Sequence, residues 1–281
     1  MDKAHPLSSP MVVRSLEVDK DSFRSHESDE ELIGPEVPYL SAIGALTYLA
    51  NCTRPDIAFA VNLLARYNSS PTRRHWNGVK NIFRYLRGTS DMGLFYSRWI
   101  KLNLQGYADA GFLSDPHKAC SQTGYVFTCG NTTVSWKSVK QTMVATSSNH
   151  SEVFAIHEAS RECVWLRNMI EHIQESYGLP SIKDSPTILY EDNATCIAQL
   201  SEGFIKWDIT KHISPKFFYA HELQKNGEID VKQIRSSDNL ADLFTKVLPT
   251  TTFKRLTYGI NLQKLKNIAS KETEQVSPMF T

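Results

Sequence analysis

Four acidic side chains are the most prominent candidates for chemistry in this sequence of 281 residues: Asp109, Glu152, Asp192 and Asp242. Each lies at the predicted start or end of a different strand or helix, where residues distant in sequence can meet in a fold. Carboxylates are preferred ligands of Mg²⁺. The spacing therefore predicts a divalent-metal site. We expect Asp109 to bridge two metal ions. Glu152 and Asp192 would complete one metal position, and Asp242 the other.

Each acid also has an ordinary structural explanation. Asp192 precedes the predicted helix NATCIAQLSE and can cap it. Asp242 near a helix start can complement the helix dipole. Glu152 can face solvent from a helix, and Asp109 can be a turn residue. The joint placement favours the metal site, because four independent structural roles would otherwise have to reproduce one topology.

The elements that must position these acids alternate between strand and helix. The strand KLNLQGYAD ends on Asp109, and GYVFTC and TTVSWKS flank Gly130-Asn131, which is a strong hairpin signal. A long helix carries Glu152 one turn before its apolar stripe. PTILYED ends on Asp192, IDVKQIR is a further strand, and DNLADLFTKVL is a short helix with Asp238 as its expected N-cap. This order predicts a mixed sheet with helices on its faces.

The segments before and after this region show other sequence patterns. Residues 1–38 are rich in charge, Ser and Pro and are expected to form a linker or flexible arm. Residues 39–98 are predicted to be helical. Their third helix places Lys80, Arg84 and Arg87 on a basic face that can follow a phosphate backbone. The alternative is a surface helix with a cationic face. Residues 263–281 are expected to form a flexible tail.

Composition constrains location more than function. The net charge of +1 does not by itself indicate nucleic-acid binding, so local clustering has to be considered. The five cysteines show no metal-knuckle spacing, which favours buried thiols in a reducing compartment. No apolar run is long enough for a membrane helix, and the N-terminus lacks a secretory signal. We therefore expect an intracellular protein, cytoplasmic or nuclear.

Long stretches of the sequence resemble the C-terminal part of the Pol polyprotein of plant Copia-type LTR retrotransposons. YLSAIGALTYLANCTRPDIAFAVNLLARY is similar to the end of the reverse transcriptase, in its thumb and connection region. GYADAGF, SQTGYVF, EDNATCIAQL and NLADLFTK are similar to the family's ribonuclease H domain. The resemblance covers roughly residues 2–262. It implies an α/β, ribonuclease H-like mixed five-stranded sheet with flanking helices at 99–262, preceded by the small helical region.

The resemblance implies metal-dependent hydrolysis of the RNA strand of RNA–DNA hybrids, with Mg²⁺ or Mn²⁺ as cofactor. The family's catalytic metal ligands fall on the four acids named above. Gly111 and Phe112 stand where the family has a second acid after the first, and His150 replaces an acid before Glu152. No YVDD-type aspartate pair is present, so we expect no polymerase active site in this chain. The polymerase portion of Pol is an expected partner.

Further site residues are expected around the acids. The loop RSSDN lacks the mobile histidine of many ribonucleases H, and His212 in TKHIS is the candidate auxiliary residue. Its alternative is a histidine packed at a helix start. The expected nucleic-acid-binding residues include the basic face of the third helix, which would hold the duplex upstream. The others are Trp136, Lys137 and Lys140 for the other strand, and Asn193 for 2′-hydroxyls. Trp136 could equally belong to the core.

Other functions remain open from the sequence. A catalytically silent remnant would bind nucleic acid without cleaving it, and a domesticated one would bind a protein partner. An integrase shares the broad fold, but its acids run Asp, Asp, Glu and it usually carries a His/Cys zinc module. The order found here and the absence of that module argue against an integrase.

Overall fold

The computed structural model describes residues 4–12, 17, 20–96, 103–179, 181, 185–204 and 213–265. The chain separates into two compact units. The first comprises Met1–Lys101, Gly130–Thr133 and Val247–Thr281, and the second comprises Leu102–Cys129 and Val134–Lys246. Among the described residues, no helix combines the length and apolarity that crossing a bilayer requires.

The regular elements follow one another in two series. The helices are α1 (Tyr39–Cys52), α2 (Ala58–Ala65), α3 (Arg73–Gly88), α4 (Ser148–Tyr177), α5 (Ala194–Glu202), α6 (Ser214–Lys225) and α7 (Thr250–Gly259). The strands are β1 (Met92–Leu94), β2 (Leu104–Asp115), β3 (Cys120–Cys129), β4 (Thr132–Lys140), β5 (Thr187–Glu191), β6 (Ile229–Gln233) and β7 (Leu262–Lys264). Short 3₁₀ helices span Pro55–Ile57, Ser236–Asp238 and Leu240–Phe244.

The first unit contains the expected helices α1 to α3 around a buried polar network. The guanidinium of Arg54 pairs with Asp56 at 2.7 Å, and Tyr85 Oη donates to the same carboxylate. Because both charged groups are buried, their pairing and hydrogen bonds offset the cost of removing them from water. The network fastens α3 to the 3₁₀ turn before α2.

The described part of the N-terminal arm packs onto the first unit, unlike the loosely attached arm expected from composition. Phe23 is buried, and the Asp21 carboxylate accepts a hydrogen bond from the backbone N–H of Phe23. Glu30 pairs with Arg74 of α3. A few buried apolar anchors and ion pairs are thus enough to hold a mostly polar segment.

The second unit is built on a five-stranded sheet in the order β4-β3-β2-β5-β6. β2 pairs antiparallel with β3 and parallel with β5, which in turn pairs parallel with β6. α4 packs on the sheet, and its buried residues from Ala155 to Leu166 follow the predicted stripe. Gly130 and Asn131 both have positive φ, as a two-residue hairpin turn requires. The predicted mixed sheet with flanking helices is confirmed.

Strand β2 differs from the prediction, because it continues past Asp109 to Asp115. Antiparallel pairing with β3 extends that far, with a bulge between Gly111 and Asp115. Parallel pairing with β5 covers only the part of β2 from Gln105 to Tyr107. Asp109 therefore lies inside a strand, yet just beyond the stretch where β5 runs beside it.

The segment around Asp242 also differs from the prediction. It forms a 3₁₀ helix, Leu240–Phe244, rather than a regular α-helix. Its cap is Asn239, whose side chain accepts a hydrogen bond from Ala241 N, and Asp238 is not the cap. The buried Asn239 amide also donates to Ala108 O of β2 at 2.8 Å. This contact ties the turn to the central strand.

The C-terminal elements group with the first unit, although the nuclease-like region was expected to extend to residue 262. β7 pairs antiparallel with β1, and Phe253 of α7 packs edge-on against Tyr85 of α3. These contacts decide the grouping of residues 247–265.

Candidate metal centre

Three of the predicted acids converge in the second unit. Asp109, Glu152 and Asp192 each offer a carboxylate oxygen, and these oxygens lie within 4.8 Å of one another. Asp109 comes from β2, Glu152 from the first turns of α4, and Asp192 follows the last residue of β5. Carboxyl ends of parallel strands and facing helix starts are where ligand sites gather in such sheets.

The carboxylates are crowded and largely removed from water. Asp109 is 1% exposed and Glu152 is 6% exposed. Burial raises the pKa of Glu152 well above its usual range, and the charges of Glu191, Asp109 and Asp192 raise it further. Glu152 Oε2 is buried without a hydrogen-bond partner. An unpartnered buried oxygen among like charges suits a divalent cation, so the residues present fit a metal.

Asp242 lies close to this cluster but is joined to it through a lysine. Lys246 Nζ contacts Asp109 Oδ1 at 3.0 Å and Asp242 Oδ1 at 2.6 Å. Burial raises the pKa of Asp242 to about 7, with a further contribution from Asp109, while Lys246 acts in the opposite direction. Three of the acids thus lie directly beside one another, whereas the ammonium of Lys246 lies between the fourth, Asp242, and Asp109.

Comparison with known proteins shows what the chain is similar to. No protein-family model matches the sequence. The chain is 33% identical over 254 residues to the retrovirus-related Pol polyprotein from transposon TNT 1-94 of Nicotiana tabacum, which covers 90% of this chain. Most of the chain corresponds to a region of Copia-type Pol polyproteins. It spans only 18% of the length of that tobacco relative.

Two further similarities are to a short protein matched by sequence and to a solved structure. The chain is 45% identical over 130 residues to the secreted RxLR effector protein 161 of Plasmopara viticola, covering 46% of this chain and 92% of that protein. Among solved structures, LC11-RNase H1 in complex with an RNA/DNA hybrid is 17% identical, covering 51% of this chain and 94% of that chain with a TM-score of 0.38. The fold of the second unit is defined by the strand order β4-β3-β2-β5-β6 described above.

Glu191 is a site residue that sequence reasoning missed. It is fully buried at the end of β5, and its Oε1 accepts hydrogen bonds from the backbone N–H groups of Asp192 and Asn193. Its Oε2 has no partner, and burial together with the Asp109 charge raises its pKa. The alternation of the strand TILYE was a usable signal, because Thr187, Leu189 and Glu191 share one inward face.

Thr245 and Lys246 were also missed, although they end the motif NLADLFTK. Thr245 Oγ1 donates to Asp109 Oδ2, while Lys246 contacts Asp109 Oδ1. The i, i+4 spacing of Asp242 and Lys246 was the available signal for this pair. Both oxygens of Asp109 are therefore engaged by consecutive residues.

Two further predicted site residues are His212, the auxiliary candidate, and Asn193, the candidate for contacting 2′-hydroxyls. His212 lies outside the described residues. Asn193 caps α5 by accepting a hydrogen bond from Cys196 N. Asn193, rather than Asp192, therefore fills the helix-cap position that had been an alternative role for Asp192.

The residues predicted to contact the other nucleic-acid strand all lie on β4. Lys137 is exposed, and Trp136 and Lys140 are half-buried. Lys137 and Lys140 line a cavity of about 160 Å³ together with Lys216 of α6. Lys216 pairs with Glu158 of α4 at 3.5 Å. The cavity therefore has a cationic lining compatible with a phosphate group.

The basic face of α3 is partly occupied in the first unit. Arg84 Nε donates to His5 O at 2.8 Å, and Arg87 Nη1 donates to Ala4 O at 2.9 Å. These two side chains hold the N-terminal arm, which competes with the backbone-binding role predicted for them. Lys80 is half-buried on the same helix.

Proposed function

We propose that this chain carries a ribonuclease H-type centre that hydrolyses the RNA strand of RNA–DNA hybrids with Mg²⁺ or Mn²⁺. The observation that supports it most is the convergence of Asp109, Glu152 and Asp192, together with the buried, unpartnered Oε2 of Glu152. The similarity to the tobacco relative adds support, because the matched region is part of a Pol polyprotein. The polymerase portion of such a Pol is the proposed partner.

The side chains have separate tasks in this proposal. Asp109, Glu152 and Asp192 would hold one cation, and Asp109 with Asp242 would hold a second. A bound divalent cation activates water and neutralises charge on the phosphate. Thr245 donates a hydrogen bond to Oδ2 of Asp109 and so fixes the orientation of this carboxylate. Glu191 fixes the backbone that presents Asp192 by accepting its amide hydrogen bond.

The lysine-lined cavity is the proposed site for a phosphate of the uncut strand. A hydrogen bond from His157 lowers the pKa of Glu158 to about 2, with Lys216 contributing. Glu158 therefore remains ionised and pairs with Lys216. Lys137 and Lys140 supply the remaining positive charge of the lining. Contacts of this kind position a duplex without reading its sequence.

A cleavage assay tests the proposal. Protein is incubated with a hybrid whose RNA strand is end-labelled, in Mg²⁺ or Mn²⁺, beside RNA–RNA, DNA–DNA and single-stranded controls. We expect cutting of the hybrid's RNA strand alone, leaving 3′-hydroxyl and 5′-phosphate ends. Asp109→Asn should reduce the rate to background, because it removes a charged ligand. No cutting with either metal, or equal cutting by the variant, would contradict the proposal.

A second candidate is a silent remnant that binds hybrid without cleaving it. It is favoured by Lys246, which occupies the space between Asp109 and Asp242, and by the missing acid at Gly111. Such a protein would show hybrid affinity that weakens with salt, because phosphate contacts release counterions. Salt-dependent binding without cleavage in either metal would select this candidate.

A further inference from the structure

The contacts of Lys246 place a positive charge inside the proposed metal centre. Its Nζ lies 3.0 Å from Asp109 Oδ1 and 2.6 Å from Asp242 Oδ1. The two carboxylates are almost fully buried, with side-chain exposures of 1% and 10%, whereas the lysine side chain is 37% exposed. The ammonium therefore reaches inward from a partly solvated stem to two acids that are shielded from water.

A divalent cation held by Asp109 and Asp242 would have to compete with this ammonium for both carboxylates. Asp109 has no unengaged oxygen, because Oδ2 accepts the Thr245 hydroxyl while Oδ1 accepts the lysine. A dication at Oδ1 would meet an ammonium that already lies at ion-pair distance from this oxygen, and like charges at such separations repel strongly in a poorly solvated site. Ammonium and metal are thus mutually exclusive partners of this carboxylate pair.

We infer that Lys246 is an internal counter-cation of the acidic centre, bound between Asp109 and Asp242 in the metal-free protein and displaced when a divalent cation binds. The inference rests on the metal centre of the proposed function. It makes Lys246 a positioning residue that sets metal affinity.

The surroundings of the ammonium support this role over that of an ordinary surface ion pair. The charged groups recorded as interacting with it are all acidic: Asp109 on β2, Asp242 on the 3₁₀ helix and Glu152 on α4. Exposed ion pairs contribute little, whereas a charge among buried acids is strongly felt. The flexible four-carbon stem and its exposure give the ammonium a route outward.

The first test measures Mn²⁺ binding by calorimetry without nucleic acid. The variants are Lys246→Met, which removes the charge at similar length, and Lys246→Arg, which keeps it. Lys225→Met is the matched control, because Lys225 is exposed and precedes β6, whereas the acids lie at the C-terminal end of the parallel neighbour β5. Asp109→Asn reports whether the heat comes from this centre.

Lys246→Met should bind Mn²⁺ about tenfold more tightly than wild type, since the competing charge is gone. Lys246→Arg and Lys225→Met should not bind more tightly. Unchanged or weaker binding by a folded Lys246→Met protein would overturn the inference.

The second test uses only the wild-type protein, so it stands if Lys246→Met does not fold. Lysines are acetylated briefly with and without Mg²⁺ and quantified by peptide mass spectrometry, with Lys225 as internal reference. An ammonium held by two carboxylates reacts slowly, so metal should increase labelling of Lys246 severalfold relative to Lys225. No increase at metal saturation would contradict displacement.

The two proposals fail separately. Displacement of Lys246 by metal without hybrid cleavage would leave this inference standing and remove the ribonuclease activity. Hybrid cleavage with no change in Lys246 labelling would leave the ribonuclease proposal standing and overturn the inference about Lys246.

Discussion

The acids of the centre differ from ordinary surface carboxylates in how they should respond to pH. Burial and the Asp109 charge raise the pKa of Asp242 from 3.8 to about 7, and the pKa values of Glu152 and Glu191 are raised as well. A carboxyl whose pKa is raised by folding binds protons more tightly in the folded state. Its contribution to stability is therefore present below the unfolded pKa and is lost as pH rises through the folded one.

We therefore predict that the metal-free protein loses stability as pH rises from about 4 to 7. Thermal melting across this range measures the effect. Saturating Mg²⁺ should oppose the loss, because metal binds the deprotonated carboxylates. Asp242→Asn should flatten the profile. A metal-free melting temperature that rises steadily between these pH values would contradict the assigned environments.

Single residues in this centre were predictable to different degrees. Glu152 and Asp192 were predictable because one lies near the start of a helix and the other follows a strand, and both elements have a local periodicity. Asp109 was predictable from the alternation of the first half of β2, although the strand continues past it. Glu191 required attention to which face of β5 is buried. The engagement of Asp109 by Thr245 and Lys246 was not predictable, since it depends on how a distant turn folds back onto β2.

At the scale of elements, the 3₁₀ helix Leu240–Phe244 is the part that most directly shapes the second half of the centre. Asn239 fixes it in two ways, by capping Ala241 N and by donating to Ala108 O of β2. Asp238, the cap expected from sequence, is exposed. Asn239 and Asp238 are adjacent polar residues, one buried and one exposed, and therefore allow a matched comparison.

Asn239→Ala should lower the free energy of unfolding by about 1–3 kcal/mol, because it leaves a buried carbonyl and an amide without partners. Asp238→Ala should change it by no more than about 0.5 kcal/mol, as for other surface substitutions. Urea unfolding of both variants measures the difference. Equal effects of the two substitutions would show that Asn239 does not hold this turn.

Local patterns predicted the elements well where pairing is local. The β3–β4 hairpin follows from Gly130-Asn131, and α4 follows from its apolar stripe. The extension of β2 to Asp115 does not follow from its own sequence, because it depends on pairing with β3 across a bulge. Tertiary contacts likewise decided that the Asp242 segment forms a 3₁₀ helix.

At the scale of the whole molecule, the division into two units changes where the C-terminal elements belong. β7 completes a two-stranded sheet with β1, and α7 contributes Phe253 beside Tyr85. This pairing joins the described end of the chain to a strand that precedes the five-stranded sheet. No local sequence pattern encodes it, because both strands are very short.

Phe253→Ala should therefore weaken the first unit, at a cost of about 3–5 kcal/mol for a buried phenylalanine. Hydrogen exchange should rise in α3 and β1 and remain unchanged in β2 and β3. Tyr258→Ala on the same helix is the control, because that side chain is exposed. Exchange that rises first in the five-stranded sheet would contradict the assignment of α7 to the first unit.

The central claim is that carboxylates from separate elements of the second unit form one divalent-cation centre. Anomalous diffraction at the manganese edge, from crystals soaked in Mn²⁺, tests it most directly. We predict a peak in contact with Asp109, Glu152 and Asp192, and none there in Asp109→Asn crystals. Manganese bound elsewhere, with these three carboxylates left unligated at saturating metal, would contradict the claim.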